Sequence, residues 1–318
     1  MCSATNVRVP NACSLEENGR YSIRRAIILL LMLITNLGSC SKGRGSDAEE
    51  SNRVVHLSID DVSVLSDLIR HQQDYDSLFQ HPFMDFLYDL HREYGLRITL
   101  YTYDRFKVDG TDHDGYTRIE EMPLKYKNDF KKASDWLRIG FHSRRADFDS
   151  LVSVADFQNS YKNVNSAIAQ FADSSMVATT LRFHYFFAPD SLLNSLPGIR
   201  CLLCADNSNL VSYNLTADEV RSVSNGKRII KNDVFYRRTD LRVDDNFRII
   251  SNLERLDNID TLVIFTHEWK LWHVPEADSN LSVAGKVKVR ASECVNQVLF
   301  KQTVKWLTDA GYTFSFLE

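Results

Sequence analysis

Four polar pairs, each with at least one ionisable residue, stand far apart in the chain, each in or after an apolar run. They are Asp60-Asp61 after Val54 to Ile59 (VVHLSI) and His142-Ser143 after Leu137 to Phe141 (LRIGF). Then come Arg182 and His184 inside Thr179 to Tyr185 (TTLRFHY), and His267-Glu268 after Thr261 to Thr266 (TLVIFT). Carboxylates and imidazoles are the side chains that transfer protons near neutral pH and ligate divalent metals. An arginine among them can hold a carboxylate in place. In parallel α/β barrels such groups assemble at the C-terminal edge of the strands. Four strands delivering Asp, His, Arg and His to one mouth is more than packing alone requires.

Each group also has a plain structural reading. Asp60-Asp61 could cap a helix beginning near Val62, since Asp is a favoured N-cap. His142 could be a hydrogen-bonded core histidine, His184 a packing residue in an aromatic strand, and Arg182 the partner of a buried structural carboxylate. Asp240 to Asp244 (DLRVD) reads as a charged strand at the mouth or as a solvated edge.

The segments between these groups alternate in type. Pro82 to Tyr94 carries Phe83, Phe86, Leu87, Leu90 and Tyr94 at helical spacing, with Gly95 as its stop. Leu96 to Tyr103 reads as a strand, Asp104 to Met122 as a polar excursion over one mouth, and Leu124 to Trp136 and Phe157 to Phe171 as helices. Ser191 to Leu196 is a short helix, Ile199 to Ala205 a buried strand, and Leu210 to Asp240 a hairpin region. Asn246 to Leu256 and Ala291 to Ala310 are helical, and Tyr312 to Leu317 is a last strand. Strand–helix alternation with buried-type strands predicts an α/β fold with a largely parallel sheet. Residues 53–318 read as one domain, with no Pro/Gly-rich linker inside.

The N-terminal segment has a different character. Ala26 to Ile34 (AIILLLMLI) is an unbroken apolar run behind Arg20, Arg24 and Arg25 and ahead of Leu37-Gly38-Ser39-Cys40. Nine apolar residues suit a signal-peptide core better than a membrane span. The segment resembles a bacterial lipoprotein signal. On that resemblance residues 1–39 are removed, Cys40 is lipidated, residues 40–52 are a flexible tether, and the protein is anchored in the cell envelope. Residues 1–39 hold four basic residues and two acidic ones, so their loss takes the formal net charge from −4 to −6. With no basic excess, a nucleic-acid partner is excluded. Cys201 and Cys204 form a C-x-x-C inside an apolar strand, which predicts buried core thiols rather than a redox or zinc motif.

Order and placement together resemble the polysaccharide deacetylase superfamily of carbohydrate esterases. The family's T-F-D-D is Ser58-Ile59-Asp60-Asp61 here, and its H-S-x-x-H is His142-Ser143-Arg144-Arg145-Ala146. Its R-x-P strand is Arg182-Phe183-His184, and its L-x-H is Phe265-Thr266-His267. The likeness spans roughly residues 54–267. It implies a distorted β/α barrel and one divalent metal, zinc. The substrate it implies is a carbohydrate, losing acetyl groups from an envelope or dietary glycan. Asp60 would be the general base, Asp61 and His142 metal ligands, His267 the general acid, and Arg182 the residue that orients Asp60. The chain departs from the pattern at Ala146, where the family has its second ligand histidine. His184 is the favoured replacement and Asp147 the alternative. Trp269, Trp272 and Glu268 are expected to bind substrate, with Trp272 and His273 equally readable as a lid. The gap at Ala146 also raises a catalytically degenerate glycan-binding pseudoenzyme. A metal-free glycosidase using Asp60 and Glu268 is a third reading.

Overall fold

The computed structural model describes residues 53–107, 115–146, 153–188, 190–206, 212–272 and 295–317. The leader and tether with Cys40, and Asp147, His273 and Cys294, lie outside the described residues. The strands are β1 (Val54–Val62), β2 (Ile98–Tyr103), β3 (Arg105–Lys107), β4 (Tyr116–Arg118), β5 (Leu137–Ser143) and β6 (Thr180–Leu181). They continue with β7 (Cys201–Cys204), β8 (Ile229–Lys231), β9 (Val234–Arg238), β10 (Leu241–Arg242), β11 (Thr261–His267) and β12 (Thr313–Phe314).

One sheet runs β10-β11-β1-β2-β5, with β12 also on β1, and every pairing in it is parallel. A second runs β6-β7-β9-β8, parallel except at the β8/β9 hairpin. Backbone hydrogen bonds join the two sheets at both edges. The Ala178 N–H donates to the Ile139 carbonyl at 2.9 Å, beside a parallel bridge from Ile139 to Val177. At the other edge the chain leaves β9 and crosses over. Thr239 N–H donates to the Cys204 carbonyl at 3.3 Å, and Asp240 N–H to the Val263 carbonyl at 2.8 Å. The result is an α/β fold, as the alternation of segments predicts, whose largely parallel strands form the distorted barrel that the family resemblance implies.

The long helices behave as their sequences indicate. Pro82–Tyr94 starts where His81 Nδ1 accepts from the Phe83 N–H at 3.2 Å. It stops at Gly95, whose φ of +69° is cheap only without a Cβ. Other boundaries differ. Leu124 to Trp136 is a 3-10 turn (Leu124–Tyr126) followed by the helix Lys127–Lys132, with the chain leaving helical geometry before Trp136. Leu210 to Asp240 contains a helix, Ala217–Ser224, ahead of the β8/β9 hairpin, announced by the Thr216/Glu219 capping box. The predicted strand Thr179 to Tyr185 is only two residues of ladder. After Leu181 the chain turns at His184–Phe186, with Tyr185 and Phe186 at φ +56° and +54°. Cys201 and Cys204 are buried free thiols, pushed up to about 12 by burial, as expected of core cysteines.

Alternation along the strands sorts side chains into layers inside the barrel. On β1, His56, Ser58 and Asp60 share the inner face. Arg182 donates to both Ser58 Oγ and Asp60. On β5, Gly140 sits one layer below His142. A Cβ at Gly140 would lie 2.9 Å from Tyr101 Cδ1 and 3.0 Å from Leu181. The Tyr101 ring is fully buried and tied by its hydroxyl to the Thr180 carbonyl at 2.8 Å, so it has little room to move. Gly140→Ala is therefore expected to destabilise the barrel by about 1–3 kcal/mol through overpacking, read as a lower urea midpoint with unchanged slope. An unchanged midpoint would contradict this packing. The C-terminal segment closes the opposite end. Ser315 N–H donates to the Val55 carbonyl at 2.9 Å, and Arg138 lies 4.2 Å over the Phe316 ring.

Candidate active site

Asp60 and Asp61 are neighbours in a strand, and strict alternation would send them to opposite faces. A register shift between Ile59 and Val62 in the β1/β2 ladder changes this, and Asp61 adopts φ +59°. A bulge re-aims a side chain, and Asp tolerates the left-handed region better than most residues. Both carboxylates thus serve one mouth. Neither caps a helix, because the following helix (Val64–Arg70) begins after Ser63.

Asp60 is 2% exposed and paired with Arg182, which is 1% exposed, at 2.9 Å. Arg182 also donates to Ser58 Oγ at 3.0 Å and Thr239 Oγ1 at 2.9 Å, and its guanidinium lies 4.3 Å over the Phe265 ring. The Asp60 carboxylate is thus fixed by the Arg182 guanidinium.

Asp61 is the hub. Its Oδ1 accepts from the Tyr103 hydroxyl at 2.5 Å and lies 3.2 Å from His142 Nε2 and 3.8 Å from His184 Nε2. Its Oδ2 accepts from Trp269 Nε1 at 3.1 Å and lies 3.9 Å from His267 Nε2. Burial alone would raise its pKa, but the hydrogen bonds and charge around it, His142 foremost, hold it far below the usual carboxylate range.

His142 ends β5, with Nδ1 2.6 Å from the Arg182 carbonyl. A carbonyl only accepts, so Nδ1 carries a proton, and Nε2 is the ring atom that faces Asp61. A proton on Nε2 makes this 3.2 Å contact a hydrogen bond to Asp61, and a metal ion in the proton's place would be ligated by both atoms. His184 faces the same point, and burial and the neighbouring His142 lower its pKa to about 4 despite the opposing pull of Asp61, so it is neutral at pH 7. It opens the turn His184–Phe186, directly after the extended Phe183. Ala146 is exposed. One ligand atom each from Asp61, His142 and His184 lie within 4.8 Å of one another. A tetrahedral site with bonds of about 2.0–2.1 Å spaces its ligands about 3.3 Å apart. The 3.2 and 3.8 Å separations bracket that value. The donors present therefore fit a divalent metal.

His267 ends β11, and its register partner on β1 is Asp60. Its Nδ1 lies 2.5 Å from Asp244 Oδ2, while Asp244 Oδ1 accepts from the His267 N–H at 3.0 Å and Thr266 Oγ1 at 2.6 Å. Burial works against the imidazolium, but Asp244, Asp60 and Asp61 outweigh it and raise the pKa. Asp244 is correspondingly lowered against its own burial by His267.

Two expected substrate contacts lie elsewhere. Glu268 is 4% exposed, and its Oε2 accepts from Ser63 Oγ at 2.7 Å and Ser63 N–H at 3.2 Å. Burial raises its pKa to about 7. The bonds to Ser63 secure the start of the Val64–Arg70 helix. Trp272 packs inward against His81 and Phe83 at ring distances of 6.0 Å. Trp269, in contrast, is 48% exposed at the mouth, and Tyr185 and Phe187 are also exposed. Two contributors had no assigned role in the sequence reading, Asp244 and Tyr103. The alternation of Leu96 to Tyr103 puts Tyr103 on the face of Tyr101, and Asp244 stood inside the DLRVD segment left between mouth and edge.

No protein-family model and no curated protein matches the sequence. Among solved structures, the chain resembles the 4-alpha-glucanotransferase of Thermococcus litoralis at a TM-score of 0.50 and 9% identity. That likeness is one of fold, covering 83% of this chain and 39% of the other. A peptidoglycan deacetylase from Bacillus subtilis aligns at a TM-score of 0.40 and 14% identity, over 82% of this chain and 86% of that one. A family 4 carbohydrate esterase from Streptomyces lividans, solved with acetate, aligns at 0.39 and 11%, over 84% and 94%.

Proposed function

We propose that the protein is a metal-dependent carbohydrate deacetylase, removing N- or O-acetyl groups from a glycan. The observation that carries this reading is the convergence of Asp61, His142 and His184 beside an imidazole held by Asp244. The donor set of two nitrogens and one carboxylate suits zinc. When bound, the metal supplies Lewis-acid polarisation of the acyl oxygen and acidifies water. Asp60, oriented by Arg182, takes a proton from the attacking water. His267, protonated, donates from Nε2 to the departing amine or alcohol, while Asp244 accepts from Nδ1. Trp269, Tyr185 and Phe187 offer exposed ring faces of the kind on which sugars stack. The Cys40 signal supports an envelope location, and loss of fatty-acid labelling in Cys40→Ser is the expected result if that cysteine carries the lipid.

The reading is tested by acetate release from acetylated oligosaccharides with added zinc, manganese or cobalt. Release that is metal-stimulated and abolished by chelator is expected. Hydrolysis that survives chelation, or binding of glycan without any release, would reject it. A finer expectation concerns pH. The general acid works in its charged form, and Asp244 stabilises that form above the ordinary histidine value of about 6.5. Asp244→Asn should lower the His267 pKa and move the alkaline limb of kcat/KM to lower pH. An unmoved limb would mean that another group donates the proton.

A further inference from the structure

A second feature lies at the other end of the barrel. Thr261 and Val54 begin the strands whose far ends carry His267 and Asp60. Six residue steps from Thr261 to His267 amount to about 20 Å. Both residues border a cavity of about 270 Å³, bounded also by β9, by Gly226 to Arg228 ahead of β8, and by Leu317. Its wall contains Arg200, Lys227, Arg228, Arg237 and Arg238, against a single carboxylate, Asp240. That carboxylate is already engaged, because Arg238 Nη2 donates to Asp240 at 2.9 Å and Val263 N–H donates to its other oxygen at 2.9 Å. The other four cations have no carboxylate partner among the described residues.

These cations are not all loose surface charges. Arg237 reaches the Thr261 carbonyl at 2.5 Å, and its Nε is buried with no hydrogen-bond partner among the described residues. Arg228 lies 3.8 Å over the Phe235 ring. Phe235 and Arg237 are two residues apart on β9 and so share a face. A buried, unsatisfied guanidinium donor is costly unless something accepts from it. Four cations around one concavity with no carboxylate partner among the described residues, in a chain whose net charge is −4, mark a site of opposite sign to the molecule.

We infer that this cavity binds the phosphate group of a small phosphomonoester, with the ligand's body against Phe235 and Val223. Guanidinium groups favour planar or tetrahedral oxyanions through paired donors. A phosphomonoester brings close to two negative charges and three acceptor oxygens, which matches several cations better than one carboxylate does. The volume lies just below the range of drug-sized ligand pockets, about 300–1,000 Å³, which suits a small ester. Being about 20 Å away, the site does not depend on the proposed metal centre.

The test is calorimetric titration of the full metal-loaded chain with inorganic phosphate, glucose 6-phosphate and glucose. Both phosphates are expected to bind with dissociation constants of about 1 mM or tighter, and glucose not to bind. Tighter binding of glucose 6-phosphate identifies the organic ester as the ligand, while equal binding identifies free phosphate. Arg200 and Arg228 are exposed, so the double variant Arg200→Gln, Arg228→Gln should fold and weaken binding at least about tenfold. Asp61→Asn should leave it unchanged. Silence for both phosphates up to about 10 mM, or full binding by the double variant, would overturn the assignment.

Discussion

Asp61→Asn should cost at least about a hundredfold in metal affinity and with it all measurable deacetylation. The loss of a ligand must exceed the 10–100-fold typical of losing a group that merely orients one. Asparagine is close in shape and tolerates the left-handed backbone that Asp61 adopts at φ +59°. The bulge in β1 should therefore persist, and the effect can be assigned to charge and ligation. Without the anion, His142 and His184 have no negative centre to offset the positive charge of a metal. Competition against a chromophoric chelator gives the affinity directly, and a thermal unfolding scan without metal shows whether the fold is retained. Unchanged metal affinity in a folded variant would remove Asp61 from the site.

Arg182→Met has the largest expected effect on stability, a loss of about 3–5 kcal/mol. Arg182 and Asp60 are both nearly inaccessible, and Arg182 links Asp60, Ser58 and Thr239 at the middle of the barrel. Methionine fills similar space but strands a buried carboxylate with no counter-charge. Pairing it with Asp60→Asn removes that charge, and the double variant should recover most of the loss. Urea denaturation of the two variants decides the matter. Equal destabilisation by both would mean that Arg182 acts through packing against Phe265, 4.3 Å away, rather than through the ion pair.

The alternation of apolar segments was enough to read a largely parallel α/β fold, because β1, β2, β5 and β11 are long runs that no helix period fits. It was not enough where geometry is set by tertiary contacts. The strand after Thr179 looked continuous because its residues are aromatic and apolar. The turn at His184–Phe186 depends on positive φ at Tyr185 and Phe186, which nothing in those side chains announces. The site was legible where polar groups interrupt apolar runs, as at Asp60-Asp61, His142 and His267. It was not legible at Asp244, which lies just past a two-residue strand in a charged segment that looks solvated. Nor was the inward turn of Trp272 and Glu268 legible. A tryptophan beside a glutamate after a strand reads as a rim, and only the packing on Phe83 and Ser63 shows otherwise.

The central claim is that Asp61, His142 and His184 hold one metal. Anomalous diffraction from crystals grown with zinc tests it most directly. A single peak is expected about 2.0–2.2 Å from Asp61 Oδ1, His142 Nε2 and His184 Nε2 together. A peak that contacts other residues, or none at full zinc loading, would contradict the account.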